Sequence, residues 1–472
     1  MKRKRLVLII LSAFLLSRLA GESIASPPPN IVYIISDDQT YRDFGFMGNQ
    51  RVHTPHLDAL AARSLVFPNG YVPTSVCRPS LVTLLTGLYP HQHGVTFNHG
   101  PPGNAGYNRM ASRKAYEKAR APEFELIQKV DTLPALLRDK KGYRSLQTGK
   151  FWEGHWRNGG FTEGMTLFTP PPGQTYGGVR TLANGEKAAH GNGDWGLKIG
   201  RETMNPIRDF ILDCGKSATP WLVWYAPYLP HQPHNSPERY YKLARSKPDV
   251  TEHELPYFAA IAQFDDTVGE LIDFVEKNAD ASHTIFVLIV DNGWTPARKR
   301  SKSRPAEFDH TKESKRAPFE DGVRTPILIR WDGHIEPRTD LSLVSSVDLV
   351  PTLLSAAGLK KTEKMPGIDL LEEQAADPDR AVFGEIYPGD ASSLGNPAGD
   401  IAYRWVRRRN LKLIVPHRQH GKAPWGHYLS GPALFDLDKD PREQNNLISN
   451  AELAGERAGL TALLDSWWNP GN

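Results

Sequence analysis

Short runs of β-branched and other apolar residues recur along this chain, and several stop at acidic or otherwise polar groups. Ile31-Val32-Tyr33-Ile34-Ile35 leads into Ser36-Asp37-Asp38. Trp221-Leu222-Val223-Trp224-Tyr225, Thr284-Ile285-Phe286-Val287-Leu288-Ile289-Val290 and Pro326-Ile327-Leu328-Ile329 follow the same grammar. Runs that are apolar at every position, not at alternate ones, belong to strands buried on both faces. Helical segments stand between them. Thr54 is placed to cap a helix with Pro55 in its first turn, and residues 257–277 read as an amphipathic helix. The alternation specifies an α/β fold, a large mostly parallel sheet flanked by helices. From about Pro378 the character changes to short strand-like pieces, Ala381 to Glu385 and Leu411 to Val415. We therefore expect a main domain over 26–377 and a smaller C-terminal α+β domain with an antiparallel sheet over 378–472.

Open α/β sheets bind ligands beyond the carboxyl ends of their strands, so the residues after each run are the ones to read for chemistry. The first run delivers Asp37 and Asp38, and a later one delivers Asp291-Asn292-Gly293. Each group alone is an ordinary turn sequence. At two neighbouring strand ends, however, three carboxylates would repel without a cation, and hard oxygen ligands suit Ca²⁺ or Mg²⁺ better than zinc. Cys77-Arg78-Pro79-Ser80 opens a short apolar segment closing in Thr86-Gly87, which puts Cys77 at the entrance to a buried helix. Free backbone N–H groups there attract anions and depress a thiol's pKa; a buried structural cysteine is the equally simple alternative. Gly142 to Gly149 delivers Lys150, with His155 shortly after, and the strand at Trp221 delivers His231 and His234. A divalent cation with lysines and histidines around a tetrahedral oxyanion stabilises sulfuryl or phosphoryl transfer.

With these motifs in order, the sequence resembles the formylglycine-dependent (type I) sulfatases of the alkaline-phosphatase superfamily. Their Cys-x-Pro-Ser-Arg element and closing Thr-Gly are matched by Cys77, Pro79, Ser80, Thr86 and Gly87. Asp37-Asp38, Gly149-Lys150, His231, Asp291-Asn292, Lys315 before Glu320-Asp321-Gly322-Val323-Arg324-Thr325-Pro326, and the closing Leu434 to Pro441 stretch match further elements. The resemblance implies an alkaline-phosphatase-like fold and hydrolysis of sulfate esters on a sugar or polysaccharide fragment. Cys77 would be oxidised to formylglycine by a maturation enzyme. One hydroxyl of its hydrate would attack sulfur, and the other would expel sulfate as the aldehyde reforms. Calcium, with magnesium the lesser candidate, would be held by Asp37, Asp38, Asp291, Asn292 and the modified Cys77. Lys150 and Lys315 would neutralise charge, and His231 would protonate or polarise the leaving oxygen. Three positions depart from the family pattern: Leu81 stands where it has arginine, with Arg78 nearby as a candidate substitute; Trp152 stands where it has histidine, making His155 the candidate base for collapse of the hydrate; and Asp321 replaces a glycine. His93, Asp265 and Asp266 are assigned structural roles.

The 57 Lys and Arg nearly balance the 53 Asp and Glu, which argues against a polybasic nucleic-acid binder. Lys2, Arg3, Lys4 and Arg5 precede an apolar run from Leu6 to Leu16 and a small-residue site near Ala25. We read 1–25 as a signal peptide, the run being short of the ~20 apolar residues of a membrane span. The expected product is an exported protein, periplasmic or secreted, with no membrane anchor in the mature chain. Two cysteines, Cys77 and Cys214, allow one disulfide at most. The basic stretch 298–316 reads as a long surface loop or lid, and Trp156, Trp195, Arg298 and Arg304 would suit an anionic sugar. Two rival readings remain: a phosphate or phosphonate ester hydrolase of the same superfamily, and a non-catalytic binder of sulfated glycans.

Overall fold

The computed structural model describes residues 27–168, 179–189, 195–294, 313–372, 377–387, 389–417 and 426–471. Residues 1–25, expected to be a signal peptide, and most of the stretch 298–316 expected to be a loop, with Arg298 and Arg304, lie outside them. The strands are β1 Asn30–Ser36, β2 Leu65–Tyr71, β3 Arg144–Gly149, β4 Glu163–Gly164, β5 Val179–Thr181, β6 Lys187–Ala189, β7 Trp221–Ala226, β8 Thr284–Val290, β9 Arg324–Arg330, β10 Arg338–Thr339, β11 Val344–Ser345, β12 Ala381–Ile386, β13 Tyr403–Arg408, β14 Leu411–Pro416 and β15 Ala433–Asp436. The central sheet runs β10-β2-β9-β8-β1-β7-β3-β4, with β11 also on β2. Its pairings are parallel except those of β9 with β2 and β8.

The double burial expected of the apolar runs is present residue by residue. In β1, Ile31, Tyr33 and Ile35 enter one core while Val32 and Ile34 enter the other. In β8, Ile285, Val287 and Ile289 face the first core and Phe286, Leu288 and Val290 the second. The helices Cys77–Thr86, Leu133–Lys141 and Leu349–Ala356 contribute to the first, and Pro55–Ala62, Asn205–Lys216 and Leu255–Asn278 to the second. Each fully buried aliphatic side chain contributes roughly 1.5–3 kcal/mol, so the sheet is the rigid base of whatever stands at its edge.

One expectation about a helix start changes. Thr54 occupies the N-cap position of Pro55–Ala62 but makes no capping bond; its hydroxyl accepts from the Gly45 amide instead. The carboxylate of Asp265, on the Leu255–Asn278 helix, takes the amides of His56 and Leu57. This gives Asp265 a structural role, as expected, with burial pushing its pKa up to about 7 against those two amides.

The C-terminal strands form an antiparallel sheet, β12-β13-β14-β15. Its Lys412 reaches Glu320 at 2.9 Å and Glu443 at 3.0 Å in a buried cluster, and Glu443 accepts from the Glu320 amide. Tyr71 of β2 donates to the same Glu320 at 2.7 Å. The small sheet therefore grips the segment that leads into β9. Among the described residues no helix is long and apolar enough to cross a membrane.

Candidate active site

Four strands adjacent in the sheet, in the order β8-β1-β7-β3, are mutually parallel and end on one edge. They deliver Asp291 and Asn292, then Asp37 and Asp38, then the Tyr228–His231 loop, then Lys150. Backbone bonds extend the ladder past the strands: Asp291 N to Ser36 O at 3.0 Å, Asp37 N to Leu229 O at 2.9 Å and Lys150 N to Ala226 O at 2.7 Å. Gly149 is required before Lys150, because it sits at φ 72° and a Cβ there would lie 1.8 Å from the Ala226 carbonyl oxygen.

The side chains converge. Lys150 Nζ lies 2.5 Å from Asp37 Oδ1 and 2.9 Å from Asp291 Oδ2. Lys315 Nζ donates to both oxygens of Asp38, at 2.5 and 2.7 Å. Its segment is held by Lys315 N to Trp294 O at 3.0 Å and Arg316 N to Ser75 O at 2.9 Å. Asn292 Nδ2 donates to Asp38 Oδ1 at 2.6 Å, and the Asp38 amide donates to Asp291 Oδ1 at 3.1 Å. His231 Nε2 approaches Asp38 Oδ2 at 3.3 Å, while its Nδ1 meets the Gln232 carbonyl at 2.6 Å. Cys77, first residue of its helix as expected, has Sγ 3.9 Å from Asp38 Oδ1. Ser80 ties that helix to β8 through the Asp291 carbonyl at 2.6 Å.

Electrostatics follow from three carboxylates in a buried space. Burial pushes Asp37 up to about 6 and Asp291 up to about 7, against the pull of Lys150. Burial opposes ionisation of Asp38 too, but Lys315, His231 and Lys150 outweigh it and hold that carboxyl well below its usual range. Burial would discharge Lys150 and Lys315, yet the carboxylates keep both ammonium groups charged. His231 is pulled down to about 3, by burial first and with Asp38 opposing. The thiol expected to be acidified is instead pushed up to about 11: Cys77 is 2% exposed, and burial outweighs Lys150 and Lys315 while Asp38 and Asp291 add to the rise.

The donor set fits a divalent cation. Asp37 Oδ2 and Asn292 Oδ1 are buried oxygens without a hydrogen-bond donor. Ligand atoms of Asp37, Cys77 and Asp291, and those of Asp37, Asp38 and His231, lie within 4.8 Å of one another in two groups. Oxygen-rich sites of this kind suit Ca²⁺ or Mg²⁺.

Other positions behave differently. His155 is not brought to the cluster: its Nδ1 accepts from the Arg157 amide at 3.1 Å and its ring lies against Trp156. Arg78 does not substitute for the missing arginine. Its fully buried guanidinium forks onto Glu153 at 2.7 and 2.8 Å and binds Glu123 at 2.7 Å, while Leu81 packs in the first core. Asp321, where the family has glycine, is paired with Arg42 at 2.9 and 2.8 Å. His93 is structural, between Thr83 and the Val95 amide. Both cysteines are free thiols. Two residues at the site escaped the sequence reading. Tyr228, stacked on His231, carried a signal as an aromatic residue separated from Pro230-His231 only by Leu229; Arg201, far upstream, carried none.

Comparison with known proteins decides the family: the sulfatase model matches residues 29–359, and the model for the C-terminal part of N-sulphoglucosamine sulphohydrolase matches 309–467. The chain belongs to the sulfatase family. This sulfatase, a type I member of the alkaline-phosphatase superfamily, is a sulfuric ester hydrolase. It is 28% identical to human arylsulfatase A over 464 residues, covering 92% of this chain and 86% of that protein. It is 28% identical to human N-acetylgalactosamine-6-sulfatase (94% and 86% covered) and 24% identical to an ulvan-active sulfatase of Formosa agariphila (96% and 82%). Among solved structures, PsFucS1 sulfatase from Pseudoalteromonas sp. shares the fold with a TM-score of 0.66 at 16% identity, covering 99% of this chain and 96% of that one.

Proposed function

We propose that this sulfatase hydrolyses sulfate esters carried on a sugar or polysaccharide fragment, using formylglycine made from Cys77 and calcium held by Asp37, Asp38, Asp291 and Asn292. The observation that carries this reading is the convergence of a helix-entrance cysteine, acidic oxygens, two charged lysines and a histidine on one sheet edge. Formylglycine, as its hydrate, would supply an oxygen nucleophile where the buried thiol is a poor one. The cation, when bound, would polarise a sulfate oxygen and align that nucleophile. Lys150 and Lys315, kept charged by their carboxylates, face the oxygens on which negative charge develops. His231 directs Nδ1–H at a carbonyl, so Nε2 is the nitrogen that meets the leaving oxygen and hands it a proton. The negative charge of an arriving ester raises the pKa of that imidazole and favours its protonation.

Relatives named for ulvan and for N-acetylgalactosamine 6-sulfate support a sugar as the alcohol. The basic, apolar N-terminus supports export to the periplasm or medium, and Cys77-Arg78-Pro79-Ser80 is the element on which a formylglycine-generating enzyme would act. Mass spectrometry of the tryptic peptide containing Cys77, after expression with such an enzyme, is the direct test. We expect the mass of the aldehyde; an unmodified thiol throughout active material removes the mechanism. The ratio of aryl sulfate to aryl phosphate turnover tests the reaction class, and a strong preference for phosphate would overturn it. Leu81, with Arg78 turned away, favours one second reading, a protein that binds sulfated glycans without cleaving them. That reading predicts binding with no turnover after complete conversion of Cys77.

A further inference from the structure

We propose that Tyr228 and Arg201 are positioning residues for His231: the Tyr228 ring is the wall that orients the imidazole, and Arg201 clamps the loop carrying both. The inference rests on the role given to His231 above. Tyr228 stands at φ 60°, a left-handed conformation that an aromatic residue adopts only where its surroundings over-determine it. It is 6% exposed. Its ring stacks on His231 with centroids 4.2 Å apart and planes 24° from parallel. Lys150 Nζ lies 5.6 Å from the ring centroid, and the Arg201 guanidinium carbon 5.9 Å from it. One aromatic ring thus touches the histidine and a site lysine together, and a cation over an aromatic face is an attractive contact.

Arg201 holds the backbone in register. Its Nη2 donates to the carbonyls of Tyr228 at 2.7 Å and His231 at 3.1 Å, and its Nη1 to Pro233 O at 3.3 Å and Asn235 Oδ1 at 2.9 Å. The planar fork binds both ends of the turn whose side chains form the stack. The bond from Nδ1 to the Gln232 carbonyl at 2.6 Å restrains rotation of the imidazole about its side-chain bonds from one edge. The Tyr228 face restrains the same rotation from the plane of the ring.

The test is leaving-group dependence. Acidic phenols leave as anions, whereas sugar and alkyl alcohols need a proton, so a misplaced proton donor slows alkyl sulfates selectively. Tyr228→Leu is expected to lower kcat on an alkyl or sugar sulfate by about 10²-fold. On a nitrophenyl sulfate the loss should be under about 5-fold, with KM little changed, because the proton contribution is absent there. Tyr228→Phe, which keeps the ring, should recover most of the alkyl-sulfate rate that Tyr228→Leu loses, and Arg201→Gln should shift the same ratio in the same direction as Tyr228→Leu. Equal losses on both esters, or a Phe variant as poor as Leu, would overturn the proposal. Should the wild-type protein turn over neither ester, the mechanism above fails separately, and the crystal structure of the Tyr228→Leu protein decides. Displacement of His231 Nε2 from its 3.3 Å approach to Asp38 supports the positioning role, and an unmoved ring refutes it.

Discussion

At the residue scale the site is a balance of buried charges in which no member is independent. Asp291 accepts from Lys150 and from the Asp38 amide, and its carbonyl anchors Ser80 on the cysteine helix. Asp291→Asn is therefore expected to lower kcat/KM on an aryl sulfate by at least about 10²–10³-fold, the scale of losing one electrostatic stabiliser. Calcium affinity measured by titration calorimetry should weaken in parallel, and an unchanged rate would remove the metal assignment. His155 lies at the opposite extreme. Because its Nδ1 caps its own short helix, His155→Ala should leave kcat within about tenfold of wild type, whereas loss of an acid or base costs about 10²–10⁴. A larger drop would restore it as the base that collapses the hydrate.

At the element scale, the small antiparallel sheet reaches the active-site edge through carboxylates. Lys412 on β14 binds Glu320, five residues beyond Lys315, and Glu443. In this cluster burial pushes Glu443 up to about 7. Glu320 is brought down to about 2, since Lys412, Arg407 and Arg324 outweigh its burial. The signs are opposite. Glu320 adds stability above its unfolded pKa near 4.5, lost as pH falls towards 2; Glu443 subtracts stability as pH rises from 4.5 through 7. Each pKa unit is worth about 1.4 kcal/mol. Glu443→Gln keeps an acceptor for the Glu320 amide and removes the second titration. Its melting temperature should fall less than that of wild type between pH 5 and pH 8 in thermal scans, and an identical pH dependence would rule the cluster out as the cause.

At the scale of the whole molecule, the sheet's two buried faces provide the stability that lets its edge carry three carboxylates and two lysines in a space nearly closed to water. A bound cation would add to that stability by mass action, about 2.7 kcal/mol at a hundredfold excess over Kd. Chelation should lower the melting temperature of the mature protein, and calcium should restore it more fully than magnesium. A chelator without effect on protein purified in calcium would count against a resident ion.

Much of this site was legible because strand ends are local signals. An apolar run followed by Asp-Asp, Asp-Asn-Gly or Pro-His declares both the strand and the group it presents, and β1, β8 and β7 follow those runs closely; β3, Arg-Ser-Leu-Gln-Thr-Gly, is mostly polar and is marked only by the Gly149-Lys150 pair at its end. Lys315 was legible only through resemblance, since its contact with Asp38 spans 277 residues. The departures were not legible. Cys77 lacks the acidity expected of its helix-entrance position because burial outweighs the pull of Lys150 and Lys315. Arg78, one residue from Cys77, is drawn away by Glu123 and Glu153, and the Pro55–Ala62 helix takes its cap from Asp265, 208 residues from Leu57. Local sequence thus determined which groups stand at strand ends. Only the tertiary fold decided which of them share one dry volume, because the desolvation and charge pairing that set their properties depend on neighbours distant in the chain.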